Sequence, residues 1–310
     1  MSLKLKLIIA LQSLTIIGLL GVVMWLVYTQ LPHEAEEASL DVVDGRIVAE
    51  NVGEDGHYRV TGDKIFLEMP GVGQMWLPVL ADVRACERDK SNMVLRNGQQ
   101  FYLNDSKITS KLGIDVSSYQ NDIDWNAVKE AGIDFVFIRC GFRGYGSGAI
   151  VPDKNFDQNV QGAQAAGLNV GVYFYSQAVT QEEAIEEAET TISLIGDYKL
   201  TYPVVYDWEM VPEDTARTDN MTVDDLTDCT IAFCDRIREA GFTPMVYQNK
   251  RLSLLKLDLP RIQNYDFWLA EYNDQATYYY DYRIWQYCSD GHVPGIDGVV
   301  DMNICYQPYA

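Results

Sequence analysis

An α/β barrel of eight strands is the fold that the sequence predicts, set behind an apolar N-terminal helix and a small β-rich module. Three observations predict it. From Lys111 onward, buried strands alternate with amphipathic helices, the grammar of a parallel sheet. After about Pro260 the helices fade and three more apolar runs follow, which brings the strands to eight, enough to close a ring. Ahead of all this, Leu7 to Tyr28 runs without a single charge.

That first run is long enough to cross a bilayer as a helix, with Trp25 and Tyr28 as interfacial anchors near one end. Lys4 and Lys6 precede it and Glu34, Glu36, Glu37 and Asp41 follow, so the positive-inside bias leaves the short N-terminus in the cytoplasm and exports the rest. A cleaved signal peptide fits less well, because the run exceeds the usual apolar region of about 7–15 residues and no clear Ala-x-Ala site follows. The expectation is a single-pass anchor over 1–28, in the cell membrane, with the bulk of the chain outside. Residues 29–40 are acidic, carry one Pro and show no apolar period, as a stalk would.

From 41 to 107, short apolar runs such as Arg46-Ile-Val-Ala, Lys64-Ile-Phe-Leu-Glu-Met and Gln99-Gln-Phe-Tyr-Leu alternate with turn signals at Glu54-Asp-Gly, Thr61-Gly-Asp, Pro70-Gly and Arg96-Asn-Gly. This is a β module, either a binding module or a spacer. Nothing in it forms a catalytic cluster.

The barrel then occupies 108–310. Its strands are read at Leu112–Val116, Phe135–Cys140, Asn169–Tyr175, Tyr202–Glu209, Thr243–Tyr247, Phe267–Tyr272, Arg283–Cys288 and Val299–Cys305. Helices are read at Trp125–Ala131, Phe156–Ala166, Gln181–Ile195 and Val223–Ala240; Thr180 and Thr222 stand as N-caps before acidic first turns, and Gly132, Gly167 and Gly241 stop three of the four.

A net charge of -21 excludes a nucleic-acid partner, which would need a basic stripe. Six cysteines (Cys86, Cys140, Cys229, Cys234, Cys288 and Cys305) are too sparse for a disulfide framework, and none has a Cys or His partner at zinc spacing. No metal or other cofactor is expected. His33, His57 and His292 stand far from every motif.

The chemistry concentrates at Tyr202 to Met210, where an apolar strand runs into two carboxyls. Side chains of a strand alternate between faces, so Asp207 and Glu209 share one side while Trp208 takes the other. Like charges that close disfavour double ionisation, and burial at a strand end lifts a carboxyl pKa further, so one of the pair can keep its proton near neutral pH. Two solvated acids would give the same pattern; the rest of the mouth separates the readings. In a TIM-like barrel the working groups sit where strands end. Asp115 falls there on the first strand, Arg139 on the second, Tyr173 and Tyr175 on the third, Tyr247 on the fifth, Trp268 and Tyr272 on the sixth, Trp285 and Gln286 on the seventh and Asp301 on the eighth. Closure would make Asp115 and Asp301 neighbours.

Gly113-Ile-Asp-Val-Ser-Ser-Tyr-Gln, Ile123-Asp-Trp, Phe137-Ile-Arg, Gly171-Val-Tyr-Phe-Tyr, Val205-Tyr-Asp-Trp-Glu, Trp268-Leu-Ala-Glu-Tyr, Trp285-Gln-Tyr and Val300-Asp-Met-Asn, in that order, resemble glycoside hydrolase family 25, the Chalaropsis-type lysozymes. The resemblance covers about Lys111 to the C-terminus and leaves out the apolar run and the β module. It implies a modified (β/α)5(β)3 barrel that cleaves the β-1,4 bond between N-acetylmuramic acid and N-acetylglucosamine in peptidoglycan, with glycan strands as partner. By position it implies Glu209 as general acid, Asp207 as its partner and Asp115 and Asp301 as the other acids, with inverting, retaining and substrate-assisted routes left open. Tyr119, Tyr173, Tyr175, Tyr247, Trp268, Tyr272 and Trp285 would offer flat faces for sugar rings, alongside Gln286, though aromatics of this kind also fill cores; Arg139 is expected to orient an acid through a charge-assisted bond rather than to touch substrate. A non-catalytic wall-binding or assembly protein on the same barrel is the alternative, and a chitinase-like enzyme a third that would lack the Asp115 and Asp301 motifs.

Overall fold

The computed structural model describes residues 41–43, 46–48, 58–69, 73–211 and 214–309. The expected anchor over 1–28 and the stalk over 29–40 lie outside them, and among the described residues no helix is long and apolar enough to cross a membrane. The chain divides into Met1–Val43, of which only the strand β1 (Asp41–Val43) is described, and Asp44–Ala310.

Within the second unit β2 (Arg46–Val48) pairs with β3 (Tyr58–Met69), which forms a hairpin with β4 (Gly73–Leu80). A separate three-stranded sheet follows, β5 (Met93–Arg96), β6 (Gln99–Asn104) and β7 (Lys107–Ile108), turned at Asn97 and Gly98 with both residues at positive φ, the geometry a two-residue hairpin needs. These strands pack on the barrel: Ile65 and Val79 join its outer core, Leu80 donates its N–H to the Tyr280 hydroxyl at 2.9 Å, and the Cys86 N–H reaches the Tyr279 carbonyl at 2.9 Å. The run Tyr278-Tyr279-Tyr280 is the landing surface for this segment, with Tyr278 and Tyr280 buried.

The barrel strands are β8 (Lys111–Val116), β9 (Phe135–Arg143), β11 (Asn169–Ser176), β12 (Val204–Trp208), β13 (Pro244–Asn249), β14 (Asp266–Ala270), β15 (Ile284–Gly291) and β16 (Val300–Cys305). They pair in that order, and β8 pairs with both β9 and β16, which closes the ring. A short strand, β10 (Ile150–Pro152), folds back on β9 as a hairpin that the sequence did not announce. Seven strands of the ring run parallel; β16 runs antiparallel to both neighbours. A ring with every strand parallel would put Asp301, near the start of its strand, at the far rim from Asp115. It is the second residue of β16, and the reversed direction brings it to the same rim, opposite Asp115 in register.

The expected helices form as Trp125–Glu130, Phe156–Ala165, Gln181–Ile195 and Val223–Glu239, the last two capped by Thr180 and Thr222 accepting the Glu183 and Asp225 N–H groups. Two short helices after β13, Lys250–Lys256 and Leu259–Ile262, were not read from the sequence. All six cysteines are free.

Inward positions of the ring fill with aromatic rings. Phe135 stacks on Tyr202 at 4.6 Å between centroids, Phe137 stacks on Trp268 at 4.6 Å, and Tyr247 meets Trp268 edge-on at 4.7 Å. Gly113 and Gly171 make room for them: a Cβ at Gly113 would stand 2.2 Å from the Phe135 ring, and one at Gly171 2.4 Å from Phe137 and 2.8 Å from the Pro203 carbonyl. Gly113→Ala should therefore destabilise the fold by about 1–3 kcal/mol through overpacking. Chemical denaturation checks this, and a midpoint equal to that of the unaltered protein would show that the rings give way freely.

Candidate active site

Above this aromatic plug the barrel mouth opens into a cavity of about 280 Å³ lined by Asp115, Ser117, Tyr119, Gln120, Arg139, Tyr173, Tyr175, Asp207, Glu209, Tyr247, Trp268, Tyr272, Gln286 and Asp301, among others. Another cavity of about 260 Å³ lies at the opposite rim, but its acids Asp266 and Asp281 are already paired with Arg283 and Arg88. Of these two cavities, the first alone gathers a cluster of carboxyls with no ion-pair partner among the described residues.

Strand alternation delivers the central pair. Asp207 is the fourth residue of β12 and points into the mouth, Trp208 is buried in the outer core, and Glu209, one residue past the strand, returns to the mouth and stays half-exposed. The two carboxyls are close enough for each to shift the other's titration, and Asp207 Oδ1 is buried with no hydrogen-bond partner among the described residues. Burial, then the charges of Glu209 and Asp115, push Asp207 well above the usual carboxylate range. Burial and then the charge of Asp115 lift Glu209 to about 7. Asp301 rises to about 8 for the same reasons, burial first, then Asp115 and Glu209.

Asp115 differs from the other three because it is clamped by donors. Its Oδ2 accepts Gln286 Nε2 at 2.9 Å and Asn303 Nδ2 at 2.7 Å. Both donors are held in turn: Gln286 Oε1 accepts the hydroxyls of Tyr247 and Tyr272, each at 2.9 Å, and Asn303 Oδ1 accepts Trp268 Nε1 at 2.8 Å. Donors that favour the anion oppose the burial that disfavours it, and Asp115 settles at about 6. Four carboxyls in one mouth thus separate into one anchored candidate anion and three that hold protons more tightly.

Of the residues expected to touch a sugar, Tyr119 and Tyr272 form exposed lips, at 79% and 53% exposure, while Trp268 is almost wholly buried as the floor. Tyr173 and Tyr175 line the wall. Trp285 does not reach the cavity. It is fully buried on the outer face of β15, its Nε1 donating to the Glu271 carbonyl at 2.8 Å, because alternation turns its neighbour Gln286 inward. Arg139 lines the cavity but commits its Nε and Nη2 to Asp153 Oδ2 at 2.9 and 2.8 Å, with its guanidinium 5.2 Å from the centre of the Tyr119 ring. Sequence reading missed Asn303, although it lies two residues after Asp301 on the same strand face. It also missed Asp153, which a hairpin return hides, and the lining residues Ser117 and Gln120.

A parallel-rich barrel with proton-retaining acids at its mouth and aromatic lips around them has the architecture of the glycoside-hydrolase class. The profile of Glycosyl hydrolases family 25 matches residues 114–296, more than half of the chain. The chain belongs to that family. Asp115, Asp207 and Glu209 fall inside the match and Asp301 lies just beyond it. The autolytic lysozyme of Clostridium acetobutylicum is 28% identical over 192 residues, covering 62% of this chain and 54% of that protein, so the match spans about half the relative's length. Lysozyme M1 of Streptomyces globisporus is 24% identical over 216 residues, 62% of this chain and 66% of that one. Among solved structures, a family 25 glycosyl hydrolase from Bacillus anthracis superposes with a TM-score of 0.54 at 24% identity, over 67% of this chain and 93% of that one. The modular autolysin LytC from Streptococcus pneumoniae gives 0.56 at 24%, over 86% and 66%. At these identities the two structures show a shared fold.

Proposed function

We propose that the chain is a muramidase that cleaves the N-acetylmuramic acid to N-acetylglucosamine β-1,4 bond of peptidoglycan, with Glu209 as general acid, tethered to the outer face of the cell membrane by Leu7–Tyr28 to remodel the wall. The observation that carries it is Glu209 itself: half-exposed at the cavity, two residues along from Asp207, and raised to about 7. A glycosidic oxygen is a poor leaving group and needs a proton delivered as the bond breaks. Asp115, held by two donors, supplies the negative charge that an oxocarbenium-like transition state requires. Asp207, pushed well above the usual carboxylate range, keeps a proton of its own and so adds no charge beside Glu209. The family match, the lysozyme name of the C. acetobutylicum relative and the S. pneumoniae autolysin structure in complex with a synthetic peptidoglycan ligand support the substrate class. The tether rests on the uncharged run and its flanking charges.

The test is digestion of purified peptidoglycan by the detergent-solubilised full chain, with the fragments read by mass spectrometry and the rate followed across pH. The acid must be protonated, so turnover falls as pH rises through about 7, where Glu209 loses its proton. The anion must be ionised, so turnover also falls as pH drops through about 6, where Asp115 gains one. A bell with those limbs and reducing N-acetylmuramic acid ends are expected. Binding to the wall with no reducing ends released would favour a wall-binding protein instead.

A further inference from the structure

We propose that Gln177 and Gln248 are positioning residues for the Glu209 carboxyl, each using its side-chain amide to continue the sheet where the backbone ladder has stopped. The inference rests on the reading of Glu209 as general acid. The ladder between β12 and β13 ends at Asp207 opposite Tyr247, and that between β11 and β12 ends at Ser176 opposite Trp208. Glu209 is the next residue. It lies outside the paired residues of both ladders.

Two glutamines supply what the strands do not. Gln248, on β13, donates Nε2 to the Trp208 carbonyl at 2.7 Å; Gln177, directly after β11, donates Nε2 to the Glu209 carbonyl at 2.8 Å. Their oxygens are held as well, Gln248 Oε1 by the Asn249 N–H at 2.8 Å and Gln177 Oε1 by the Thr218 hydroxyl at 2.9 Å. Both side chains are essentially unexposed, at 1% and 0%, and neither lines the cavity. A role in gripping substrate is thereby excluded. A side-chain amide reproduces the donor and acceptor of a peptide group, so the pair acts as a strand extension made of side chains.

Neutrality matters here. A Lys or Arg could hold the same carbonyls, but a cation beside Glu209 would stabilise its anion and strip the proton that a general acid must keep. The Glu209 carboxyl shares its cavity with Asp207, Asp115 and Asp301, with the hydroxyls of Tyr175, Tyr247 and Tyr272, and with Arg139, a cation whose guanidinium is already paired with Asp153. Glutamine fixes the backbone and leaves that field unchanged.

The full chain in detergent carries the test, with kcat and KM on soluble peptidoglycan fragments and the Glu209 carboxyl followed by carbon-13 chemical shift through a pH titration. Gln177→Met keeps the length of the side chain and removes the amide. It should lower kcat by about 10- to 10²-fold, as a misplaced reacting group does, with KM within about twofold. The Glu209 titration should move at the same time. Turnover and titration both equal to the unaltered protein would overturn the proposal. Should Gln177→Met fail to fold, Thr218→Val, which frees the amide oxygen without touching Gln177, and Gln248→Met decide by the same two readouts, Thr218→Val with a smaller loss in the same direction. If the unaltered chain turns nothing over, the muramidase reading falls, and the carboxyl titration, which needs no turnover, still decides the positioning role.

Discussion

Glu209→Gln is expected to lower the release of reducing ends from purified peptidoglycan by about 10²- to 10⁴-fold while wall binding stays close to that of the unaltered chain. Glutamine keeps the shape and hydrogen-bonding reach of the carboxyl but has no proton to give, so only the step that transfers it is lost. The same change should stabilise the protein at alkaline pH. Glu209 titrates near 7 in the fold, above the ordinary glutamate value of 4.5, so above pH 7 its charge is forced into a site that disfavours it. As pH falls from about 7 toward the ordinary value that cost disappears. The thermal midpoint of Glu209→Gln should accordingly exceed that of the unaltered chain at pH 8 by more than it does at pH 5, an exchange of stability for function that belongs to active sites. Turnover that survives the substitution would move the acid role to Asp207 or Asp301.

Why that carboxyl was legible in the sequence, and others were not, comes down to the range of the contacts involved. Period-two alternation around Trp208 is a local rule and put Asp207 and Glu209 on one face without any tertiary information. The same rule, applied strictly, forbids Trp285 and Gln286 from facing one cavity together, and it would have paired Asn303 with Asp301. Both slips came from weighing residue type over position. The direction of β16 was legible, in the turns at Pro294-Gly295 and Asp297-Gly298 and in a connection too short for a parallel crossover; the return of β10 onto β9 was not. Neither was the burial of Tyr278 and Tyr280, which depends on a segment some two hundred residues earlier in the chain packing over them. Asp153 reaches Arg139 only because β10 folds back on β9. Gln177 and Gln248 carry no charge and no motif, so their work appears only as distances.

The largest loss of stability is expected from Arg143→Met, at the back of the same wall. Arg143 is 3% exposed and donates Nε to Glu187 at 2.7 Å, Nη1 to the Gly148 carbonyl at 2.8 Å, and Nη2 to Glu186 at 2.8 Å and the Glu183 carbonyl at 3.0 Å. Glu187, fully buried on the helix Gln181–Ile195, is otherwise met by the Ser176 hydroxyl at 2.6 Å. Burial dominates its titration even with Arg143 present and lifts it to about 7. Removing the guanidinium strands a carboxylate in the core and should cost about 3–5 kcal/mol of unfolding free energy, read by denaturant titration. The pH dependence fixes the cause. With Arg143 gone, two influences that favour the Glu187 anion vanish, so its folded pKa rises further above the unfolded one. A raised folded pKa means that the stability is present at low pH and is lost as pH climbs through the folded value. The deficit of Arg143→Met should therefore be greatest at pH 8 and should shrink toward pH 5, where Glu187 takes up a proton in the fold. Arg143→Met combined with Glu187→Met should recover much of the loss at pH 8, because no buried charge is then left without a partner. A deficit that ignores pH, or a double variant no better than the single one, would place the damage in lost packing and in the released Gly148 and Glu183 carbonyls rather than in the ion pair.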